Sequence, residues 1–66
     1  MAMKLKWSKD RKSLVVTGIM NESMMDDAYS IAAKSKCSYE QRDYGCTGVI
    51  TGTKPQLLKY IDEWNK

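Results

Sequence analysis

The spacing of apolar residues at the start of the chain is that of two strands. Apolar and polar side chains alternate over residues 3–8, which is the pattern of a half-buried strand. A second strand is predicted for Leu14–Ile19, which is rich in β-branched residues, and the polar cluster Lys9–Lys12 would form the loop between them. This loop length predicts three cross-strand pairs: Trp7–Leu14, Leu5–Val16 and Met3–Gly18.

A helix from about 24 to 35 is predicted after this hairpin. Ser23 and Asp26 fit the capping-box pattern, and Lys34 and Lys36 lie near the other end, where cations interact favourably with the helix dipole. Apolar residues at helical spacing form one stripe: Met24, Met25, Ala28, Ile31 and Ala32. The stripe predicts that one side of this helix is buried.

The second half of the chain repeats this pattern. The segment 49–52 (Val-Ile-Thr-Gly) matches the segment 15–18 (Val-Val-Thr-Gly) at an offset of 34 residues. Thr53 and Gln56 then form a second capping box, with Pro55 in the first turn, where its missing N–H is harmless. The second helix has a matching apolar stripe: Leu57, Leu58, Ile61 and Trp64.

The segment Cys37–Asp43, between the two helices, is predicted to be a further strand. We expect it to turn near residues 40–43 and to pair back onto Gly45–Thr51. The order ββαββα predicts the α+β class, with one antiparallel sheet and two helices packed on one face. We predict a single domain over residues 1–66, made of hairpin-helix halves at about 1–35 and 36–66.

The composition narrows the classes of function. A chain of 66 residues has room for one small core and excludes a multidomain or large-cleft enzyme. It has no His and two Cys, so the usual ligands of a structural zinc site and the commonest general base are missing. The acidic pairs Asp26–Asp27 and Asp62–Glu63 are adjacent in sequence and cannot converge on one substrate bond. We expect no enzymatic activity, no cofactor and no metal.

The same sequence favours a cytoplasmic protein. Its longest uncharged apolar run, residues 13–20, is shorter than the roughly 20 residues of a membrane span, so neither a span nor a signal peptide is predicted. Two cysteines do not make a disulfide framework. Cys37 and Cys46 would lie opposite each other if the second hairpin is centred between Gln41 and Arg42, which leaves a disulfide and two reduced thiols as alternatives.

With both helices on one face, the other face of the sheet is expected to be open. The register assigns it Lys4, Lys6, Val15, Thr17, Ile19, Thr47, Val49 and Thr51. Valines and an isoleucine among lysines and threonines suit a protein partner, and the alternative is an ordinary solvated face. Tyrosine and arginine in the polar segment 38–44 are typical of recognition loops. The predicted protein-binding residues are Val15, Thr17, Ile19, Val49, Thr51, Tyr39, Arg42 and Tyr44.

The distribution of charge supports an alternative partner. The net charge is +3, but residues 1–20 alone carry +4. Five cations of the first hairpin could contact the phosphates of DNA or RNA: Lys4, Lys6, Lys9, Arg11 and Lys12. Sheet proteins that read single strands stack bases on exposed aromatic residues, whereas Trp7 is predicted on the core side. Nucleic-acid binding is therefore the second hypothesis.

The first hypothesis is a non-enzymatic protein-binding module that acts stoichiometrically by occupying a partner's surface. Phages and other mobile elements encode compact inhibitors of host defence, such as anti-CRISPR proteins, and the size of this chain and its lack of catalytic groups place it with them. A homodimer is also possible, because a second copy could cover the open face or add to an edge of the sheet.

Overall fold

The structure is a computed structural model that describes residues 3–66, so the first two residues of the predicted 1–66 domain lie outside it. The predicted α+β class and the order ββαββα are confirmed. The elements are β1 (Lys4–Trp7), β2 (Leu14–Thr17), α1 (Glu22–Ser35), β3 (Ser38–Arg42), β4 (Thr47–Thr51) and α2 (Lys54–Trp64). A short 3-10 turn, Asp43–Gly45, joins β3 to β4.

The four strands form one antiparallel sheet in the order β1-β2-β4-β3. The two hairpins therefore meet along their second strands, and β1 and β3 are the edges. At the centre Val15 pairs with Val49. These two valines also correspond to each other in the 34-residue repeat, so the repeat seen in the sequence coincides with the line along which the two halves join.

The register of the first hairpin is confirmed for two of the three predicted pairs, Trp7–Leu14 and Leu5–Val16. The third pair, Met3–Gly18, is absent from the ladder, which ends at Thr17. Gly18 has a φ of 81°, a left-handed conformation that glycine adopts without a steric cost. This residue turns the chain out of the strand and toward α1.

Side-chain caps define where both helices begin. The N-cap of α1 is Asn21, whose Oδ1 accepts a hydrogen bond from the Met24 N–H at 2.9 Å. The predicted cap at Ser23 is wrong, because Asn21 caps equally well two residues earlier and Ser23 then lies inside the first turn. The capping box of Thr53 and Gln56 is confirmed, with both reciprocal hydrogen bonds present.

The core lies between the sheet and the two helices. Its buried side chains are Leu14, Val16, Ile19, Ala28, Ala32, Ile50, Leu57 and Tyr60. Tyr60 is 0% exposed, whereas Leu58, predicted to be in the apolar stripe of α2, is 50% exposed. Positions 57, 60, 61 and 64 follow helical spacing more closely than the predicted stripe does, and Tyr60 completes them. Its hydroxyl donates a hydrogen bond to the Ala28 carbonyl at 3.0 Å, which ties α2 to α1.

We expect the free energy of unfolding to fall as the pH rises above about 10, the ordinary pKa of tyrosine. Burial raises the pKa of Tyr60, so above that pH the unfolded chain ionises this hydroxyl while the folded protein keeps it neutral. The stability that depends on the neutral form is complete below pH 10 and is lost above it, and Tyr60 alone should account for a loss of about 1.4 kcal/mol at pH 11.

Urea unfolding at neutral and alkaline pH measures this loss, and Tyr60→Phe is the matched variant, because it keeps the ring and removes the titrating group. Burial also raises the pKa of Tyr39, so part of the decline should remain in the variant. An alkaline decline as steep in Tyr60→Phe as in the unsubstituted protein would contradict the prediction.

Candidate functional site

The sheet face opposite the helices forms a continuous surface, here called the open face. Alternation along the four strands places these side chains on it: Lys4, Lys6, Val15, Thr17, Ser38, Glu40, Arg42, Thr47, Val49 and Thr51. The two valines at its centre are half-buried by their neighbours in the sheet. Three threonines surround them, and charged side chains occupy both edges. An apolar centre with a polar rim is the usual composition of a protein interface.

The charges on the open face differ between its two edges. On β1, Lys4 lies opposite Thr17 and Lys6 lies opposite Val15, and both lysines are exposed. On β3, Arg42 Nη2 forms an ion pair with Glu40 Oε1 at 3.1 Å. The β1 edge is therefore cationic, whereas the charges on the β3 edge are balanced.

Ile19 does not belong to the open face, so its predicted place there is wrong. It is 4% exposed and belongs to the core, and its N–H donates a hydrogen bond to the Cys46 carbonyl at 3.2 Å. The period-two pattern of β2 stops at Thr17 because Gly18 leaves the extended conformation. Alternation counted through Gly18 therefore assigned Ile19 to the wrong side.

The predicted recognition segment at Tyr39–Tyr44 is divided between two sides of the sheet. Tyr39 lies in β3 and not in a loop, and it pairs with Ile50 on the side that the helices cover. Its ring packs over Gly48, and its buried hydroxyl has no hydrogen-bond partner among the described residues. Tyr39 is therefore a packing residue, which corrects its predicted role in recognition.

The other two predicted residues of that segment are exposed but lie apart. Arg42 is on the open face. Tyr44 lies in the 3-10 turn with a φ of 57° and a fully exposed side chain, which lines a groove on the α1 side together with Met20. Of the three predicted residues in this segment, Arg42 alone shares a face with Val15 and Val49.

The cysteines do not face each other, because the second hairpin is centred between Tyr44 and Gly45. Its register pairs Ser38 with Thr51 and Arg42 with Thr47. Cys37 and Cys46 therefore lie beyond opposite ends of β3, and both are free thiols. The turn predicted near residues 40–43 is wrong, because β3 continues to Arg42 and the chain turns at Asp43–Gly45, so the register that would pair the two cysteines does not form.

The five cations of the first hairpin occupy two places. Lys4 and Lys6 are on the open face, whereas Lys9, Arg11 and Lys12 lie in the loop at the tip. The Asp10 carboxylate holds this loop by accepting hydrogen bonds from Ser8 Oγ at 2.6 Å and from the Lys12 N–H at 3.0 Å.

These two hydrogen bonds, with that from Ser8 the stronger influence, lower the pKa of Asp10. A negative charge therefore lies in the middle of the loop cations. Trp7 is on the helix side of the sheet, as predicted, with Lys54 Nζ 5.8 Å from its ring centroid. No aromatic residue is present on the open face among the described strands.

A second exposed surface, which is not among the predicted binding residues, runs along the outer side of β3 next to α1. Three large apolar side chains are prominent there: Met20 is 71% exposed, Tyr29 60% and Tyr44 106%. Met25 and Gln41 lie between them and border two grooves of about 220 and 280 Å³. We call these five residues the β3 edge patch. The sequence contains one indication of this surface. Tyr29 lies outside the predicted apolar stripe of α1, so an aromatic side chain is expected away from the buried side of the helix.

Residues 3–66 contain neither a candidate metal cluster nor a helix that could span a membrane. No cluster of three or more acidic, cysteine or histidine side chains suitable for a metal ion is present in this part of the chain. None of the helices in the same residues is long and apolar enough to cross a membrane.

Comparisons of the chain with models of protein families, with curated proteins and with solved structures find no match.

Proposed function

We propose that this protein is a small, non-enzymatic binding module that acts stoichiometrically by occupying the surface of a protein partner with its open face. The observation that carries the proposal is the direct cross-strand pair of Val15 and Val49 at the centre of a sheet face that neither helix covers. Threonines surround this pair, so a partner would desolvate apolar area at the centre while its rim remained polar.

The charge on the open face indicates the chemistry of the partner. Lys4 and Lys6 project from one edge without a carboxylate beside them in the cross-strand register, where they meet Thr17 and Val15. A partner that places an apolar patch over the valines and carboxylates over the lysines would satisfy both parts of the face. Opposite charges at the rim would mainly raise the association rate and fix orientation, and apolar burial would supply the affinity.

A module of this kind inhibits its partner by covering a surface that the partner needs. We place it with the stoichiometric inhibitors that phages and other mobile elements direct at host systems, such as anti-CRISPR proteins. The support for this class is that the candidate site is a sheet face with an apolar centre and a polar rim, which can cover a partner's surface.

The test compares the proteins captured from a lysate by the unsubstituted chain and by Val15→Thr/Val49→Thr. Threonine keeps the β-branched shape and removes apolar surface, so the fold should persist while affinity falls roughly tenfold or more. Leu58→Gln is the matched control, because it removes an exposed apolar side chain on α2, away from the open face. The proposal requires a stoichiometric protein that Leu58→Gln retains and the double-threonine variant loses.

One outcome of the same experiment supports the second hypothesis instead. In that outcome the chain recovers nucleic acid and no protein from the lysate. If the amount of nucleic acid bound then falls steeply with salt and falls in Lys9→Ala/Lys12→Ala, the proposal is overturned in favour of DNA or RNA binding. The affinity of a partner bound through the valine pair should depend little on salt, because apolar burial supplies most of that affinity.

A further inference from the structure

The two edge strands of the sheet differ in the charges they present to another strand. β1 carries two lysines, Lys4 and Lys6, whereas β3 carries one acidic and one basic residue, Glu40 and Arg42. In each strand the two charged residues are two positions apart and point to the open face. An edge strand has unpaired backbone groups, and lysines on an edge discourage pairing with another chain.

This difference in charge decides whether an edge strand can pair antiparallel with the same strand of a second copy. If two β1 strands pair about Leu5, each Lys4 faces a Lys6, and like charges directly opposite each other are destabilising. If two β3 strands pair about Gln41, each Glu40 faces an Arg42, twice by symmetry. The β1 edge is therefore protected against self-association, whereas the β3 edge is complementary to itself.

We propose that a second copy of this chain pairs antiparallel along β3, with the twofold axis at Gln41. The two sheets then join into one of eight strands, in the order β1-β2-β4-β3-β3-β4-β2-β1. The twofold axis is perpendicular to the sheet, so all four helices lie on one side and the two open faces lie next to each other on the other side. This inference goes beyond the proposed function and does not depend on it.

The helix side of β3 provides the apolar part of this interface. The groove lined by Met20 and Tyr44 lies toward one end of β3, and the groove lined by Tyr29 and Tyr39 lies toward the other, with Gln41 bordering both. A twofold axis at Gln41 places the first groove of one copy against the second groove of its mate. Three of the four large, exposed apolar side chains of the described chain are then in the interface.

The β3 edge patch is needed for the interface to be large enough. Specific dimers bury about 1,200 Å² or more in total, which is about 600 Å² from each copy. That area is roughly an eighth of the 4639 Å² surface of this chain. With the axis at Gln41, residues 40–42 of each copy pair strand to strand, and these three residues alone would not supply it. Exposed tyrosine and methionine are residue types enriched in interface cores.

The Glu40–Arg42 ion pairs across the interface fix the register of the two β3 strands, and they add little to the affinity of the dimer. In a single copy Arg42 already pairs with Glu40 at 3.1 Å, and both side chains are more than half exposed. Exchanging this contact for the same contact across the interface changes the energy little, because exposed ion pairs contribute little. Reversing one charge makes two like-charge contacts in every dimer, and this repulsion makes the proposal testable.

Sedimentation equilibrium over a range of protein concentrations measures the dimer. Arg42→Glu or Glu40→Arg alone should raise the dissociation constant by on the order of tenfold, because either change places like charges opposite each other twice. The double variant Glu40→Arg/Arg42→Glu should dimerise like the unsubstituted protein, since it restores opposite charges in reversed order. An equimolar mixture of the two single variants should form heterodimers, in which every glutamate faces an arginine.

Lys12→Glu is the control for Arg42→Glu, because it makes the same change in net charge at the hairpin tip and should leave the dimer intact. Circular dichroism confirms that each variant is folded. A chain that stays monomeric at millimolar concentration, or a dimer that Arg42→Glu does not weaken, would overturn the proposal. Val15→Thr/Val49→Thr should dimerise normally, so failure of the open-face function and failure of this dimer are distinguishable.

Discussion

Replacing Tyr60 by alanine should leave the protein unfolded at room temperature. The side chain is 0% exposed, packs in the core between the sheet and both helices, and stacks on Trp64 with ring centroids 6.2 Å apart. Truncating a buried aromatic residue costs about 3 to 5 kcal/mol, through lost apolar burial and the cavity that remains. A domain of this size has a total stability of roughly the same magnitude. Circular dichroism and urea unfolding provide the measurement.

Two matched variants separate the packing of Tyr60 from other effects. Tyr60→Phe keeps the ring and removes the hydrogen bond to Ala28, so it should cost only about 1 kcal/mol. Leu58→Ala changes an exposed residue on the same helix and should cost less than about 1 kcal/mol. A folded Tyr60→Ala protein within about 1 kcal/mol of the unsubstituted chain would show that Tyr60 is not central to the core.

The sequence predicts the parts of this fold that depend on local patterns. Alternation in residues 3–8 and a four-residue polar loop specify the first hairpin, because a shift of one residue would turn Leu5 and Trp7 to solvent. The capping box at Thr53 predicts the start of α2, since it needs only residues close in sequence. The open face around Val15 and Val49 then follows from placing both helices on one side.

The errors arise where an amphipathic side chain or a single glycine overrides the local pattern. Tyr39 and Tyr60 have polar tips and resemble surface residues, yet both direct their rings inward. Gly18 ends the alternation of β2, so counting every second residue places Ile19 on the open face, although it lies in the core. The β3 edge patch depends on α1 packing beside β3, a tertiary relationship that spacing in the sequence does not show.

Gly48 is the position where the sheet makes room for Tyr39. It lies in the central strand β4, paired with Val16 on one side and Gln41 on the other, and it points to the helix side. A Cβ atom added there would meet the Tyr39 ring, within 2.6 Å of its Cε2 atom. The absence of a side chain at Gly48 allows Tyr39 to lie over the sheet, where its ring meets that of Tyr29 edge-on, with centroids 5.9 Å apart.

Gly48→Ala should therefore destabilise the protein by about 1 to 3 kcal/mol, the usual cost of overpacking. The direction of the change in stability distinguishes two causes. If only backbone entropy mattered, alanine in place of glycine within a strand would stabilise the protein by roughly 0.5 to 1 kcal/mol. Thr47→Ala, on the neighbouring residue and the opposite face, should cost less than about 1 kcal/mol. Urea unfolding of the three proteins is the measurement, and a stabilised Gly48→Ala variant would contradict the role assigned to Tyr39.

A double-mutant cycle with Tyr39→Ala identifies the cause of the loss. If the new methyl group clashes with the Tyr39 ring, then Gly48→Ala should be harmless or stabilising once that ring is removed, with a coupling energy of about 1 to 3 kcal/mol. If the free-energy costs of Gly48→Ala and Tyr39→Ala simply add, the new methyl group does not clash with the Tyr39 ring but with another part of the sheet. The same displacement of Tyr39 would disturb Tyr29, which packs against it in the β3 edge patch, so Gly48→Ala should also weaken the proposed dimer.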